Sequence, residues 1–376
     1  MKKFVTIFEK CENIHLIKDV GQIPYLMYKN HNYDASIVCV KNSKNYSYLE
    51  DEVCGLKLKF IPKLKLGRIS LSTLWYLLFN AKKIDVLHLF HHREPTYIYS
   101  IIYKKLNPKG HLYIKSDKGY RDIINNDGFF AKGKRRHEKR EKLFNKALEY
   151  IDTISVENEG SYEFLIQKYP RQKEKFFYLT NALDIDGFYE KVSPVPYEIK
   201  ENIILTVGRI GAKEKNNTMF LEALSQTKLD DWKVYFIGPI EEGFQVEIEK
   251  FYKINPLLKE RVKFLGAIEN RAKLFEYYSQ AKLFCLTSIE ESFGFVLIEA
   301  MSYGEFVITT DVSSAMDITE DEKYGKIVNS VDELSLAIED MIQNQTKYKV
   351  LSSKISNYAQ KKYNWKSVIK LLEMRF

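Results

Sequence analysis

The 376 residues are long for one hydrophobic core and comfortable for two domains. A hydrophobic share of 45% with 29% charged residues excludes a disordered chain. The net charge of +8 is mild and suits an anionic ligand or an anionic membrane surface, without indicating either on its own.

The chain opens on "MKKFVTIFEKCE", whose apolar run is too short for a signal peptide and reads as a first strand. Further short β-branched or apolar runs follow: "DASIVCV", "IDVLHLF", "GHLYIKS" and "IDTISVE". Between them lie helix-length segments such as "LSTLWYLLFNAKK" and "EPTYIYSIIYKKL". "LSTLWYLLFNA" is the longest apolar stretch, about half of what a membrane span needs. The second half repeats the style with "NIILTVG", "WKVYFIG", "RVKFLG", "AKLFCLT" and "EFVITT". Such alternation predicts parallel sheets with crossover helices, hence an α/β protein with two Rossmann-like domains. The boundary is expected in "KVSPVPYEIKEN", Lys191 to Asn202, with its two prolines and little periodicity. The expected domains are 1–190 and 191–359, with a carboxyl-terminal helix at about 360–376, Trp365 near the middle of its pattern, packing back on the first. Cys11, Cys39, Cys54 and Cys285 form no C-x-x-C pair, and three lie in or near apolar runs. A reducing compartment, no metal cluster and a cytoplasmic location are therefore expected.

In doubly wound sheets ligands bind beyond the carboxyl ends of strands, where helix amino termini face anions. Three segments of the second half stand at such ends. In "SIEESFGFVLIEAMSYG", Ser288 to Gly304, a loop with Glu291 leads into an apolar helix from about Gly294 to Tyr303, capped by Gly304. Glu299 lies inside that helix, where a carboxylate without partners is costly. A salt bridge to a neighbouring cation and hydroxyls of a bound ribose are both open readings. Free amides around Phe293, Gly294, Phe295 and Val296 suit a phosphate or a sugar hydroxyl. Glu290 and Glu305 read as solvated surface charges. In "ILTVGRIGAKEKNNTMFLEAL", Arg209 offers a planar fork and Lys215 a point charge, a combination that fits a diphosphate. In "RVKFLGAIEN" the backbone after Gly266, around Ile268, can face a nucleobase.

Together these segments resemble the carboxyl-terminal domain of the retaining glycosyltransferases of family 4, which have the GT-B fold. Glu291 and Glu299 meet the family's E-x7-E signature, and Arg209 and Lys215 meet its diphosphate element in the spacing "GRIGAKEKN". "TISVENEGSYEFL", "TNALDIDGF" and Trp365 extend the resemblance from about Val156 to the carboxyl terminus. The resemblance implies two domains with a cleft between them. It implies Glu299 on the ribose, Glu291 on the donor sugar, the amides from Phe293 to Val296 at sugar and phosphate, and Arg209 and Lys215 on the diphosphate. The implied reaction moves a hexose or N-acetylhexosamine from a nucleotide diphosphate sugar, UDP-linked, to a glycan, lipid-linked or protein-linked acceptor in cell-surface glycan assembly. No cofactor and no essential metal are expected. "DID", Asp184 to Asp186, lies inside the segment matching the family's hinge and is not read as a metal site.

The amino-terminal half is more divergent. "IKDVGQIPYLMY", Ile17 to Tyr28, occupies the place of the family's glycine-bearing first loop, where Gly21 would let the backbone approach the diphosphate. The family's histidine near the reacting carbon has no counterpart in "LYIKSDKGYRD"; Asp117 is the substitute, with His88, His91 and His92 as alternatives. The histidines lack a carboxylate or cysteine at supporting spacing, so a metal site is not expected there. "FFAKGKRRHEKREKLFNKALEY", Phe129 to Tyr150, mixes aromatics with cations. It reads either as a solvated helix face or as an attachment to the inner face of a membrane through anionic lipid; nucleic acid is not an expected partner. Two rivals stay open: a phosphorylase or sugar-phosphate synthase of the same fold, and a non-catalytic scaffold or glycan-binding partner of another transferase.

Overall fold

The computed structural model describes residues 1–130 and 135–376. They form two compact units, Met1–Asn181 with Trp365–Phe376, and Ala182–Asn364. The division falls before the proline-containing segment 191–202. Residues 185–190, expected to end the first domain, lie in the helix Ile185–Lys191 of the second unit.

In the first unit the strands are β1 (Lys3–Ile7), β2 (Asp34–Cys39), β3 (Lys57–Phe60), a small hairpin of β4 (Lys65–Leu66) and β5 (Ile69–Ser70), then β6 (Val86–Phe90), β7 (His111–Lys115), β8 (Thr153–Val156) and β9 (Phe176–Tyr178). Seven of them make one parallel sheet in the order β3-β2-β1-β6-β7-β8-β9. Burial on both faces explains why β1, β2, β6, β7 and β8 read as nearly continuous apolar runs. The first helix, Asp19–His31, packs Gly21 against the turn Asn13–Ile17. A Cβ at Gly21 would lie 2.2 Å from the Leu16 carbonyl oxygen. Gly21 is thus buried inside a helix, not in a loop open to a ligand, and its missing side chain admits the neighbouring backbone. The end of the chain, Trp365–Glu373, is a separate helix that starts at Trp365, and Phe376 lies against Phe4, His111 and Tyr113 at ring separations of 5.8, 5.0 and 5.7 Å.

In the second unit the strands are β10 (Ile203–Val207), β11 (Lys233–Ile237), β12 (Val262–Gly266), β13 (Leu283–Leu286), β14 (Phe306–Thr310) and β15 (Gly325–Val328). They form a parallel six-stranded sheet in the order β12-β11-β10-β13-β14-β15. Strand order reverses between β10 and β13, so the chain continues from those two strands toward opposite sides of the sheet, and a crevice is expected at their carboxyl ends.

Of the basic segment 129–150, residues 131–134 lie outside the described residues. Three of its four aromatics, Phe129, Phe130 and Phe144, belong to the core of the first unit, where Phe129 stacks on His92 at 3.5 Å between ring centres. They are not on a surface that lipid can reach.

Candidate functional site

The crevice between β10 and β13 is built from two loops tied together. After Val207 the chain runs through Gly208 and Arg209 to Asn216, which takes φ +47° and leads into the helix Asn217–Gln226. The Asn217 side chain accepts a hydrogen bond from the Gly211 amide at 2.7 Å and holds the turn. The other loop, Thr287 to Gly294, follows β13. The Thr287 hydroxyl donates to the Lys215 carbonyl at 3.1 Å, and the Ile289 amide donates to the Glu214 carbonyl at 2.8 Å. Gly208, Arg209, Lys215, Asn217, Leu286 and Thr287 line a small recess between them.

Side chains complete the junction. The Lys215 ammonium donates to the Glu291 carboxylate, which also accepts from the Ser288 hydroxyl at 2.8 Å. Arg209 pairs with Glu214 and sits 3.9 Å from Glu241, with 61% of its side chain exposed. Lys215 and Glu291, read from sequence as contacts to different parts of a donor, therefore neutralise each other, while the Arg209 guanidinium faces solvent through much of its surface.

The helix behind Glu291 spans Phe295–Ser302, preceded by Gly294 at φ +86°. That left-handed conformation favours glycine and turns the chain into the first helical turn. Phe293 is buried beside Phe295 and Tyr363, while Phe295 and Val296 are half-buried. Glu299 is half-buried and accepts a hydrogen bond from the Tyr278 hydroxyl at 2.8 Å. Burial raises its carboxyl above the ordinary range, against the charge of Arg271 and the Tyr278 bond. Neither sequence reading of Glu299 anticipated a tyrosine. Ile268 is partly buried in the loop after β12, at the same end of the sheet as the other donor-side residues.

Glu305 departs from the sequence reading: it is fully buried, not solvated. Gly304 follows the helix end, and the chain turns so that Glu305 leads directly into β14. Neither carboxyl oxygen has a hydrogen-bond partner. Burial pushes its carboxyl well above the ordinary range, opposed by Lys200. Burial also pushes the Lys200 ammonium down to about 8, and Lys200 donates to the carbonyls of Ser279 and Ala281 at 2.7 and 2.8 Å.

At the carboxyl ends of β6 and β7 in the first unit, His91 and Asp117 meet. His91 Nδ1 lies 2.7 Å from Asp117 Oδ2, and the His91 amide donates to the Lys115 carbonyl at 3.1 Å. Desolvation alone would raise the Asp117 carboxyl, but His91 outweighs it and holds it at about 2. The other two histidines face inward. His88 is fully buried on Tyr113 at 4.5 Å and bonded to the Thr6 hydroxyl at 3.0 Å, and His92 bonds the Tyr97 hydroxyl at 3.0 Å. Burial lowers the His92 imidazole to about 3, so it stays neutral.

Sequence reasoning missed a buried charge cluster beside this pair. The Lys115 ammonium lies 2.5 Å from Glu157 and 3.4 Å from Asp19. Burial would lower the ammonium, but the two carboxylates outweigh it and the net direction is upward. The readable signal was a lone charge closing each apolar strand, in "LYIKS" and "ISVEN". Among the described residues no group of three or more His, Cys, Asp or Glu side chains gathers as metal ligands, and no helix is long and apolar enough to cross a membrane.

Residues 192–362 match the family model described as Glycosyl transferases group 1. The chain is 28% identical over 213 residues to the N-acetylgalactosamine-N,N'-diacetylbacillosaminyl-diphospho-undecaprenol 4-alpha-N-acetylgalactosaminyltransferase of Campylobacter jejuni, covering 56% of each chain. It is 26% identical over 162 residues to the phosphatidyl-myo-inositol mannosyltransferase of Mycobacterium leprae, covering 42% of this chain and 41% of that one. The matched stretch spans about half the length of the first of these relatives and less of the second. The solved structure of Anabaena HepE in complex with UDP is similar in fold, with a TM-score of 0.72 at 16% identity over 100% of this chain and 99% of that one. The chain has the two-sheet architecture of GT-B glycosyltransferases, and residues 192–362 carry a Glycosyl transferases group 1 domain.

Proposed function

We propose that this protein is a retaining, metal-independent glycosyltransferase that moves a hexose or N-acetylhexosamine from a UDP-sugar to a glycan or lipid-linked acceptor in cell-surface glycan assembly. The observation that carries the reading is the junction of the β10 and β13 loops, where Lys215 pairs with Glu291 and Arg209 lines the same recess as Lys215, at a strand-order reversal inside the matched domain. The named activities of the Campylobacter and Mycobacterium relatives and the UDP in the HepE complex favour this donor and acceptor class.

In this reading the incoming diphosphate takes the Lys215 ammonium from Glu291, and Arg209 swings from Glu214 onto the same phosphates. The freed Glu291 carboxylate accepts hydroxyls of the donor sugar. Glu299 accepts the ribose hydroxyls, and the amides from Phe293 to Val296 at the head of Phe295–Ser302 face sugar and phosphate. Once the donor is bound, these cations and amides stabilise the leaving diphosphate as its charge develops. His91 and Asp117 form the candidate polar pair of the first unit, with Asp117 ionised. A cytoplasmic location follows from the donor.

The test is nucleotide release from a panel of UDP-, GDP- and ADP-sugars with membrane and glycan extracts as acceptors, with and without EDTA. The expected outcome is turnover of at least one UDP-sugar, unaffected by EDTA and lost in Arg209→Ala and Glu291→Ala. Absence of turnover with every donor would favour the non-catalytic scaffold. Release only with inorganic phosphate or a sugar phosphate would favour a phosphorylase or sugar-phosphate synthase.

A further inference from the structure

Residues 57–83 carry seven cations and no acid. The same stretch exposes six large apolar side chains: Phe60 at 50%, Leu64 at 57%, Leu66 at 70%, Trp75 at 61%, Leu78 at 58% and Phe79 at 69%. Their placement is ordered. In the helix Leu71–Asn80, Thr73 and Leu77 face the core, while Trp75, Leu78 and Phe79 share the opposite face at helical spacing. The Trp75 and Phe79 rings lie 5.9 Å apart. The helix is pinned at its start, where the Ser70 hydroxyl caps the Thr73 amide at 3.2 Å and the Leu71 amide donates to the Leu64 carbonyl at 2.9 Å. The β4–β5 hairpin beside it presents Leu66 next to Gly67 and Arg68.

Lys57 and Lys65 are paired with Asp34 and Glu9. Lys59, Lys63, Arg68, Lys82 and Lys83 have no ion pair among the described residues. An ordered surface that combines bare aromatics with uncompensated cations costs solubility in water, and it matches an interface where apolar groups enter acyl chains and ammonium groups meet anionic headgroups.

We infer that residues 57–83 are a docking surface for an anionic lipid bilayer. This does not rest on the donor-site reading; it stands on the composition and exposure of this surface. The uncompensated positive charge favours a bilayer over a second copy of the chain, which would bring like charges face to face.

Trp75 makes the test direct, because Trp232 and Trp365 are buried and the third tryptophan is the exposed one. The full chain is mixed with phosphatidylcholine vesicles with and without phosphatidylglycerol, and flotation and tryptophan emission are read. The expected result is flotation and a blue shift with the anionic vesicles, both reversed by high salt. Trp75→Phe should abolish the shift while flotation remains. Replacing Lys59, Lys63, Arg68, Lys82 or Lys83 by Gln should weaken partitioning by roughly fivefold per charge. Leu78→Ser with Phe79→Ser should weaken it further, with an unchanged unfolding transition since both side chains are exposed. The inference is overturned by failure to float with anionic vesicles, by partitioning indifferent to the charge removals, or by a concentration-dependent dimer that Phe79→Ser dissociates.

Discussion

Lys215 and Glu291 come from loops 76 residues apart and close an ion pair where a diphosphate is expected. A site that holds its own counter-ion in the resting state avoids leaving a half-buried carboxylate unpartnered. Lys215→Ala should lower kcat/KM by roughly 100- to 1000-fold, on the scale of a lost transition-state donor. Because the two residues share one bond, the loss in Lys215→Ala with Glu291→Ala should fall well short of the product of the single losses, as steady-state kinetics on the four proteins would show. Glu305 poses a different question, that of an acid buried without hydrogen bonds. Its carboxyl is raised, so its protonated form belongs to the folded state and its stability contribution is intact below the ordinary carboxylate range. That contribution is lost as pH rises through the raised value. Glu305→Gln should therefore match the parent in thermal unfolding near pH 4 and exceed it by about 1–3 kcal/mol at pH 8. A variant less stable than the parent at pH 8 would mean that Glu305 is ionised and held by Lys200. The residue types at the site were legible in "GRIGAKEK" and "EESFGFVLIE"; their pairing was not, because it joins loops that sequence spacing does not relate.

At the scale of elements, strands closing on apolar runs were legible because both faces of each sheet are covered. Those missed were edge or short strands. In β3 lysines alternate with apolar residues, β9 has three residues, and β15 opens on a glycine, so none shows a continuous run. Gly21 is ambiguous in sequence for a comparable reason: a glycine after a strand signals either a ligand or a close backbone, and in the structure Gly21 admits the Leu16 backbone. Gly21→Ala should thus destabilise the fold by about 1–3 kcal/mol or more, read as a lower unfolding midpoint, with little change in KM for the protein that remains folded. A raised KM at unchanged stability would restore the ligand reading. Lys115 joins the ends of β7 and β8 to the start of the first helix through Glu157 and Asp19. Lys115→Met strands two carboxylates in a buried site and should cost about 3–5 kcal/mol in denaturant unfolding, far above a typical surface substitution.

For the molecule as a whole, alternation of strand and helix predicted two parallel sheets, and each unit has one. The division at residue 181 escaped the sequence because the prolines after Val192 mark an irregular stretch within the second unit, not a boundary between cores. Each sheet reverses its strand order once, and the reversal of the second unit carries the Lys215–Glu291 pair on which the proposed diphosphate site rests. The central claim is that this edge binds a nucleotide diphosphate through Arg209 and Lys215. Calorimetric titration with UDP tests it most directly, on the parent protein and on Arg209→Ala and Lys215→Ala with unchanged unfolding transitions. The account predicts saturable binding to the parent and a loss of about tenfold or more in each variant, the scale of a charged hydrogen bond. UDP binding undiminished in both variants, or absent from the parent, would contradict it.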